Sequence, residues 1–247
     1  MHRVKGCIPD PIDKDDYLLG SFVDKTKAIP DSIVYSDQID RIENQGSVPS
    51  CVGYGTTTIK ELADKLSGEK TELSPIWLYD QCKRIDGSPY EAGTYIRTAM
   101  KILAKKGCAP EKLVPYDGNY YYGKYKNLSI DEEYIRPYRI KTYARLVSID
   151  DMLRCLSQHG PFSMGVLVTD GFEKPLEDGL IPIGSKSVDG GHCIACIGYS
   201  IPQSIFYIVN SWGYSWGNNG IAKMPFEYFL RYGMDAWGIV DISPNEI

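Results

Sequence analysis

The stretch "IENQGSVPSCVGYGT", Ile42 to Thr56, places a single cysteine between a loop built of Gln45, Gly46, Ser47, Pro49 and Ser50 and a segment carrying Gly53 and Gly55. Further on, Ile59, Leu62, Ala63 and Leu66 recur at helical spacing. The pattern predicts a helix from Cys51 to about Leu66, with Ser50 available as its N-cap. Cys51 then stands at a helix N-terminus, where the macrodipole favours negative charge. A thiol is a useful nucleophile only as a thiolate, and it also needs a histidine to hold the proton.

The chain has three histidines. His2 lies in an N-terminal arm, and His159 in "SQHGP" reads as a surface or capping residue. His192 opens a strand in "DGGHCIACIGYS", after two glycines, Gly190 and Gly191, that allow close backbone approach, and is the partner of choice. An imidazole needs a group to fix its tautomer. "IVNSWGYSWGNNG" supplies Asn210 at the end of the next strand, with Trp212 and Trp216 close by to cover a polar contact from water. The Gln45 side-chain amide and the Cys51 backbone N–H together suit a tetrahedral oxyanion. Cys193 and Cys196, three apart in a strand, point to opposite faces and read as packing residues, not as a metal or redox pair.

Outward from these blocks, "PIWLYDQCKR" predicts a helix over 75–84, capped by Ser74 with Pro75 first. "TYIRTAMKILAKK" predicts another over 94–106, closed by Gly107. After residue 140 the character changes. Ser148 and Asp151 resemble a capping box on a short helix, and "FSMGVLV", "HCIACIGYS", "FYIVNSWG" and "GIAKMP" alternate strands with turns. A helical first half followed by a β-rich second half implies an α+β chain of two lobes with a cleft between them.

Composition narrows the function. A net charge of -5 gives no basic footprint for nucleic acid, and no apolar run approaches the ~20 residues that span a bilayer. The start, "MHRVKGCIPDPIDKDDYLLGS", is broken by prolines and aspartates where a secretory leader needs an apolar run. Seven scattered cysteines do not suggest a disulfide scaffold. A cytoplasmic or otherwise reducing compartment is the expectation.

"NQGSVPSC", "GGHCIACIGY" and "VNSWGYSWGNNG" resemble the three active-site blocks of the papain-like cysteine peptidases, the papain and cathepsin family. His192 follows Cys51 by 141 residues and Asn210 follows it by 159, close to the family's usual spacing of about 130–150. The resemblance extends over roughly 29–244, through "TELSPIWLYDQCK", "EAGTYIRTAMKILAKKGCAPEKLVPY" and "HGPFSMGVLV". It implies a papain-like two-lobed fold, with Cys51 as nucleophile, His192 as general base and acid, Asn210 as its orienter, Gln45 as oxyanion donor and Trp212 as aromatic shield, Trp216 supporting. Gly93, Thr94 and Gly191 are implied to hold substrate. Gly93 and Thr94 would line the pocket for the residue two before the scissile bond, Ile242 would lie at its floor, and apolar side chains are the expected occupants.

On this reading residues 30–140 form the helical lobe and 141–247 the β-rich lobe, and polypeptides are the substrates, with no metal or organic cofactor needed. Residues 1–29 form an extension, and those near Ile8 to Leu19 are expected to dock on the body and cover the site. Where the family commonly has Cys-Gly-Ser-Cys-Trp, this chain reads Val48-Pro49-Ser50-Cys51-Val52, so the usual bridge before the nucleophile cannot form. That departure is similar to a bacterial or large-virus branch. Acyl transfer on the same site, or a binding protein without turnover, are the alternatives.

Overall fold

The structure, a computed structural model, describes residues 4–125, 127–184 and 188–240. Ile242, expected at a pocket floor, lies outside the described residues. The strands are β1 (Cys7–Ile8), β2 (Ser32–Val34), β3 (Thr94–Tyr95), β4 (Thr142–Arg145), β5 (Phe162–Thr169), β6 (Val188–Ser200), β7 (Ile205–Val209), β8 (Ile221–Pro225) and β9 (Gly233–Val240). The helices are α1 (Cys51–Leu66), α2 (Pro75–Lys83), α3 (Ile96–Lys105), α4 (Glu132–Ile135), α5 (Ile149–Gln158), α6 (Asp170–Glu173) and α7 (Phe226–Tyr232).

The fold is α+β. An antiparallel sheet runs in the order β4-β9-β5-β6-β7-β8, with β2 added to β6. Helices α1, α2 and α3 pack on one face, in a cluster that includes Ile59, Leu78, Met100, Leu103, Cys193 and Ile197. The other face carries α5 and α7, with Met152, Leu156, Phe162, Met164, Ile194, Cys196 and Tyr228. Cys193 and Cys196 fall into different clusters, as strand alternation requires.

The two glycines after Cys51 answer to packing. A Cβ on Gly53 would lie 2.3 Å from the Pro75 carbonyl oxygen, and one on Gly55 would lie 2.8 Å from the Cys193 sulfur. Their bare backbone brings α1 down onto α2 and β6 at once, which fixes Cys51 against the strand that carries His192.

Local signals set most helix ends. The Ser74 hydroxyl accepts from the Trp77 N–H at 3.2 Å with Pro75 at the first helical position, and the Ser148 hydroxyl accepts from the Asp151 N–H at 3.0 Å. Ser50 holds the N-cap position of α1, but its side chain caps no backbone N–H; its hydroxyl faces the Val48 carbonyl at 3.4 Å. The helix expected from 94 begins two residues later. Thr94 and Tyr95 are instead extended as β3, because they pair in parallel with Cys7 and Ile8 of the arm. Gly107 adopts φ +95° just past Lys106, the C-cap of α3, and a Cβ on it would fall 2.2 Å from the Ile135 carbonyl oxygen.

The arm docks through Asp10 and Asp16, which bond to Arg97, Arg145, Asp235 and Trp237, and at two further places. Leu19, Phe22 and Val23 are buried in the second cluster, and Val4 to Ile8 cross the cleft. Ile12 is 95% exposed, while Asp10 and Leu19 are buried, so the expected stretch docks on the body and the cleft itself is crossed by the residues up to Ile8.

Candidate active site

His192 projects from β6 at the level of Val166 on β5. Its Nε2 lies 2.7 Å from Asn210 Oδ1. That oxygen also accepts from the Ser211 N–H at 2.8 Å, while the Asn210 N–H donates to the Gly220 carbonyl at 3.0 Å. Asn210 is thereby held at both ends. The Trp212 ring stacks on the imidazole with centroids 4.5 Å apart and planes 29° from parallel, and Trp216 stands perpendicular to Trp212 behind it. His192 and Asn210 are both buried, so their contact is made out of water. With Nε2 committed to Asn210, Nδ1 is the nitrogen left to exchange a proton.

Gln45 is lashed to the same segment. Its backbone N–H donates to the Ser211 carbonyl at 2.9 Å, and its Oε1 accepts from the Ser211 hydroxyl at 2.6 Å. This fixes the amide so that Nε2 donates to the Val48 carbonyl at 2.9 Å and to the Val4 carbonyl of the arm at 3.2 Å. Gly46, at φ +59°, turns the loop, and the Tyr116 hydroxyl donates to the Gln45 carbonyl at 2.8 Å. Ser211, which holds Gln45 through its carbonyl and its hydroxyl, is a residue that sequence reading passed over. The signal was its place between Asn210 and Trp212, inside a block already singled out.

Cys51 is the first residue of α1 and is fully buried. The backbone amides of Cys193, Gly6 and Val52 lie toward its sulfur and favour the thiolate. The amide of Cys193 belongs to the residue that follows His192. Burial, and then the neighbouring Cys7, push the thiol well above its ordinary value despite those amides. With the arm in place burial disfavours the Cys51 thiolate.

The arm occupies the cleft through its backbone. Gly6 donates to the Gly191 carbonyl at 3.1 Å and accepts from the Thr94 N–H at 2.9 Å. A Cβ on Gly93 would fall 2.5 Å from the Gly6 carbonyl oxygen, and one on Gly191 would fall 2.2 Å from that of Cys7. Gly93, Thr94 and Gly191, expected to hold substrate, thus hold the arm. Lys5 Nζ lies 2.6 Å from both Glu173 and Asp189.

Beyond the cleft, Asp10 Oδ2 accepts from the Arg97 N–H at 3.0 Å and from Trp237 Nε1 at 2.9 Å, while the Asp10 N–H donates to Asp235 Oδ2 at 2.7 Å. Burial first, and then the Asp235 charge, raise the Asp10 carboxyl to about 7. Burial likewise raises that of Asp235. Of the other histidines, His159 Nε2 contacts the Phe22 carbonyl at 2.8 Å, remote from this cluster in the sequence it joins, and His2 lies outside the described residues.

Sequence and structure comparisons bear on this arrangement. Xylellain, a cysteine protease from Xylella fastidiosa, superposes with a TM-score of 0.83 at 25% identity, covering 98% of this chain and 99% of that one. An uncharacterized peptidase C1-like protein of Acanthamoeba polyphaga mimivirus is 25% identical over 83% of this chain and 73% of its own length. Papain from Carica papaya is 30% identical over 78% of this chain and 53% of its own length. The chain thus spans between about half and three-quarters of these two curated relatives. Residues 29–235 match the family described as papain family cysteine protease, and with most of its length so matched the chain belongs to that family.

Proposed function

We propose that the chain is a cysteine endopeptidase working through Cys51, His192, Asn210 and Gln45, and that its own residues 4–8 hold it latent. When the arm vacates the cleft, a peptide takes its place between Gly93 and Gly191. The Cys51 thiol passes its proton to His192 Nδ1 and its sulfur bonds to the peptide carbonyl carbon. Gln45 Nε2 and the Cys51 N–H receive the oxygen as it gains charge. His192 returns the proton to the amine as the C–N bond breaks, leaving a thioester on Cys51. Water then gives one proton to His192 and adds its hydroxyl to the thioester; the acid departs and the proton returns to sulfur.

The observation that carries this reading is the 2.7 Å His192–Asn210 bond under Trp212. It leaves the imidazole one tautomeric choice at the nitrogen available for catalysis. Latency is supported by the Val4 carbonyl, which takes the Gln45 donor that an oxyanion would need. The test is alkylation of the full chain by an epoxysuccinyl peptide, with the adduct located by mass spectrometry. Labelling confined to Cys51, absent in Cys51→Ala and accompanied by hydrolysis of a peptide library, is expected. Absence of any adduct after the arm is displaced would move the chain to a binding role.

A further inference from the structure

Cys7 is the single cysteine of residues 1–29, and docking buries it. Its place is set by Gly165 on β5. A Cβ built there would lie 3.1 Å from the Cys7 sulfur, so the sulfur sits over bare backbone where another residue would carry a side chain. Gly165 pairs directly with Cys193 on β6. Side chains opposite one another on antiparallel strands stand on the same face, with Cβ atoms about 4.5–5.5 Å apart. The Cys7 sulfur is thereby next to the Cys193 side chain, and each thiol alters the ionisation of the other through their side-chain contact. The arm backbone is registered on the same strand. The Gly6 N–H donates to the Gly191 carbonyl at 3.1 Å, and a Cβ on Gly191 would fall 2.2 Å from the Cys7 carbonyl oxygen.

Two buried thiols in contact are ordinary packing when both belong to one rigid body. This pair differs, because Cys193 is fixed inside the sheet between β5 and β7 while Cys7 lies on a segment laid over it. A bond between the two sulfurs turns a reversible contact into a covalent one. Neither thiol has a part in the chemistry proposed for Cys51. Cys51 bears on Cys7 through charge, whereas Cys193 bears on it through a side-chain contact as well, and Cys196 faces the other cluster. Burial raises the Cys193 thiol and the contact with Cys7 opposes that rise, whereas the same contact and burial both raise Cys7. Cys193 is therefore the readier nucleophile of the pair.

We propose that Cys7 and Cys193 are a site of oxidative cross-linking, closed by a small-molecule disulfide, and that the bond between them locks the arm in the cleft. With the arm out, the Cys7 thiolate attacks one sulfur of the small disulfide. That S–S bond breaks, and half of the molecule leaves as a thiol carrying the proton that Cys7 gave up. As the arm returns, the Cys193 sulfur attacks the Cys7 sulfur of the mixed disulfide, and the other half leaves as a thiol carrying the Cys193 proton. Two protein thiols are oxidised and one small disulfide is reduced to two thiols. An excess of small thiol runs the same steps backward and frees the arm. As a cross-link the assignment stands on the contact itself; as a lock it rests on residues 4–8 being the gate to Cys51.

The test uses the full chain carrying Cys51→Ala, in which the cross-link is read without any peptidase activity. The chain is incubated with oxidised glutathione, and its unreduced tryptic digest is read by mass spectrometry with fragmentation that separates Cys193 from Cys196. The peptides holding Cys7 and Cys193 are expected to be joined and lighter than their sum by two hydrogens. Cys7→Ser and Cys193→Ala should each abolish the link, and Cys7→Ser leaves the packing within the body untouched should Cys193→Ala fold poorly. Hydrogen exchange at the Gly6 and Thr94 amides, which bond across the arm contact, should slow by roughly 30-fold or more once the link forms, the lower range of what a cross-link contributes. A mixed disulfide that goes no further, a link to Cys196, or exchange unmoved by the link would overturn the proposal. In the chain with Cys51 intact, hydrolysis of a peptide library should fall on oxidation, return with dithiothreitol, and fall less in Cys7→Ser. An equal fall in Cys7→Ser, or a link from Cys7 to Cys51 in place of Cys193, would overturn the lock. If the reduced chain cuts no peptide while the link forms and slows exchange, the endopeptidase reading falls and the cross-link stands.

Discussion

Gly6 of the arm passes so close to Pro49 that a Cβ on it would fall 2.0 Å from the Pro49 carbonyl oxygen. Between the loop before Cys51 and Gly93 the cleft therefore admits bare backbone alone. Gly6→Leu should expel the arm while leaving Gln45, Cys51, His192 and Asn210 untouched. Overpacking of this kind costs about 1–3 kcal/mol, which corresponds to roughly 5–150-fold in arm occupancy. The second-order rate of Cys51 alkylation should rise by a factor in that range. An unchanged rate would mean that the arm does not gate the thiol.

Gln45 and Ser211 share the 2.6 Å bond that aims the Gln45 amide. Gln45→Ala should lower kcat by about 10²–10³-fold, the usual cost of one oxyanion donor. Ser211→Ala leaves the donor present but free to turn, so its loss should be smaller and confined to kcat, with KM little changed. A Ser211→Ala effect as large as that of Gln45→Ala would assign the hydroxyl a direct role.

What the sequence made legible was whatever is encoded over a few residues. Ser74 and Pro75 gave the start of α2 because a cap and an N1 proline act locally, and the blocks around Cys51, His192 and Asn210 could be read because each carries its own turn glycines and flanking strand or helix. What escaped depends on contacts across the chain. Thr94 and Tyr95 look helical by spacing, yet they are extended because the arm, some ninety residues earlier, pairs with them. Asp235 went unremarked because its bond to the Asp10 N–H joins the two ends of the chain. Ser50 has the chemistry of a cap, but its hydroxyl turns to Val48 instead.

Lys83 and Asp86 form a salt bridge at 2.8 Å with both side chains 1% exposed, and Lys83 Nζ also donates to the Gly93 carbonyl at 2.7 Å. The ammonium ties the end of α2 to the cleft wall. Lys83→Met should cost about 3–5 kcal/mol, because the Asp86 carboxylate is left buried without its partner. Chemical denaturation would read that loss. Lys83→Met combined with Asp86→Leu should recover much of the stability while leaving the Gly93 carbonyl without its donor, so KM for peptides should remain raised. Recovery of both would detach the pair from the cleft.

The arm's grip should also respond to pH through Asp10. Its carboxyl is raised to about 7 when docked, by burial and then by Asp235, against a value near 4 for an aspartate in a free chain. The groups facing it are Asp235 and Trp237 on β9 and Arg97 on α3, with Arg145 of β4 bonded to its carbonyl. A docked pKa above the free one means that docking takes up a proton. The added stability is complete below about pH 4 and is lost as pH rises to about 7, beyond which it changes no further. The alkylation rate of the native chain, divided by that of Gly6→Leu at each pH to cancel the titration of Cys51 and His192, should therefore climb between pH 5 and pH 7 and then level. Asp10→Asn should flatten the climb, since the amide cannot titrate. A ratio that falls with pH would mean that the Asp10 carboxylate is held by Arg97 more strongly than burial and Asp235 oppose it.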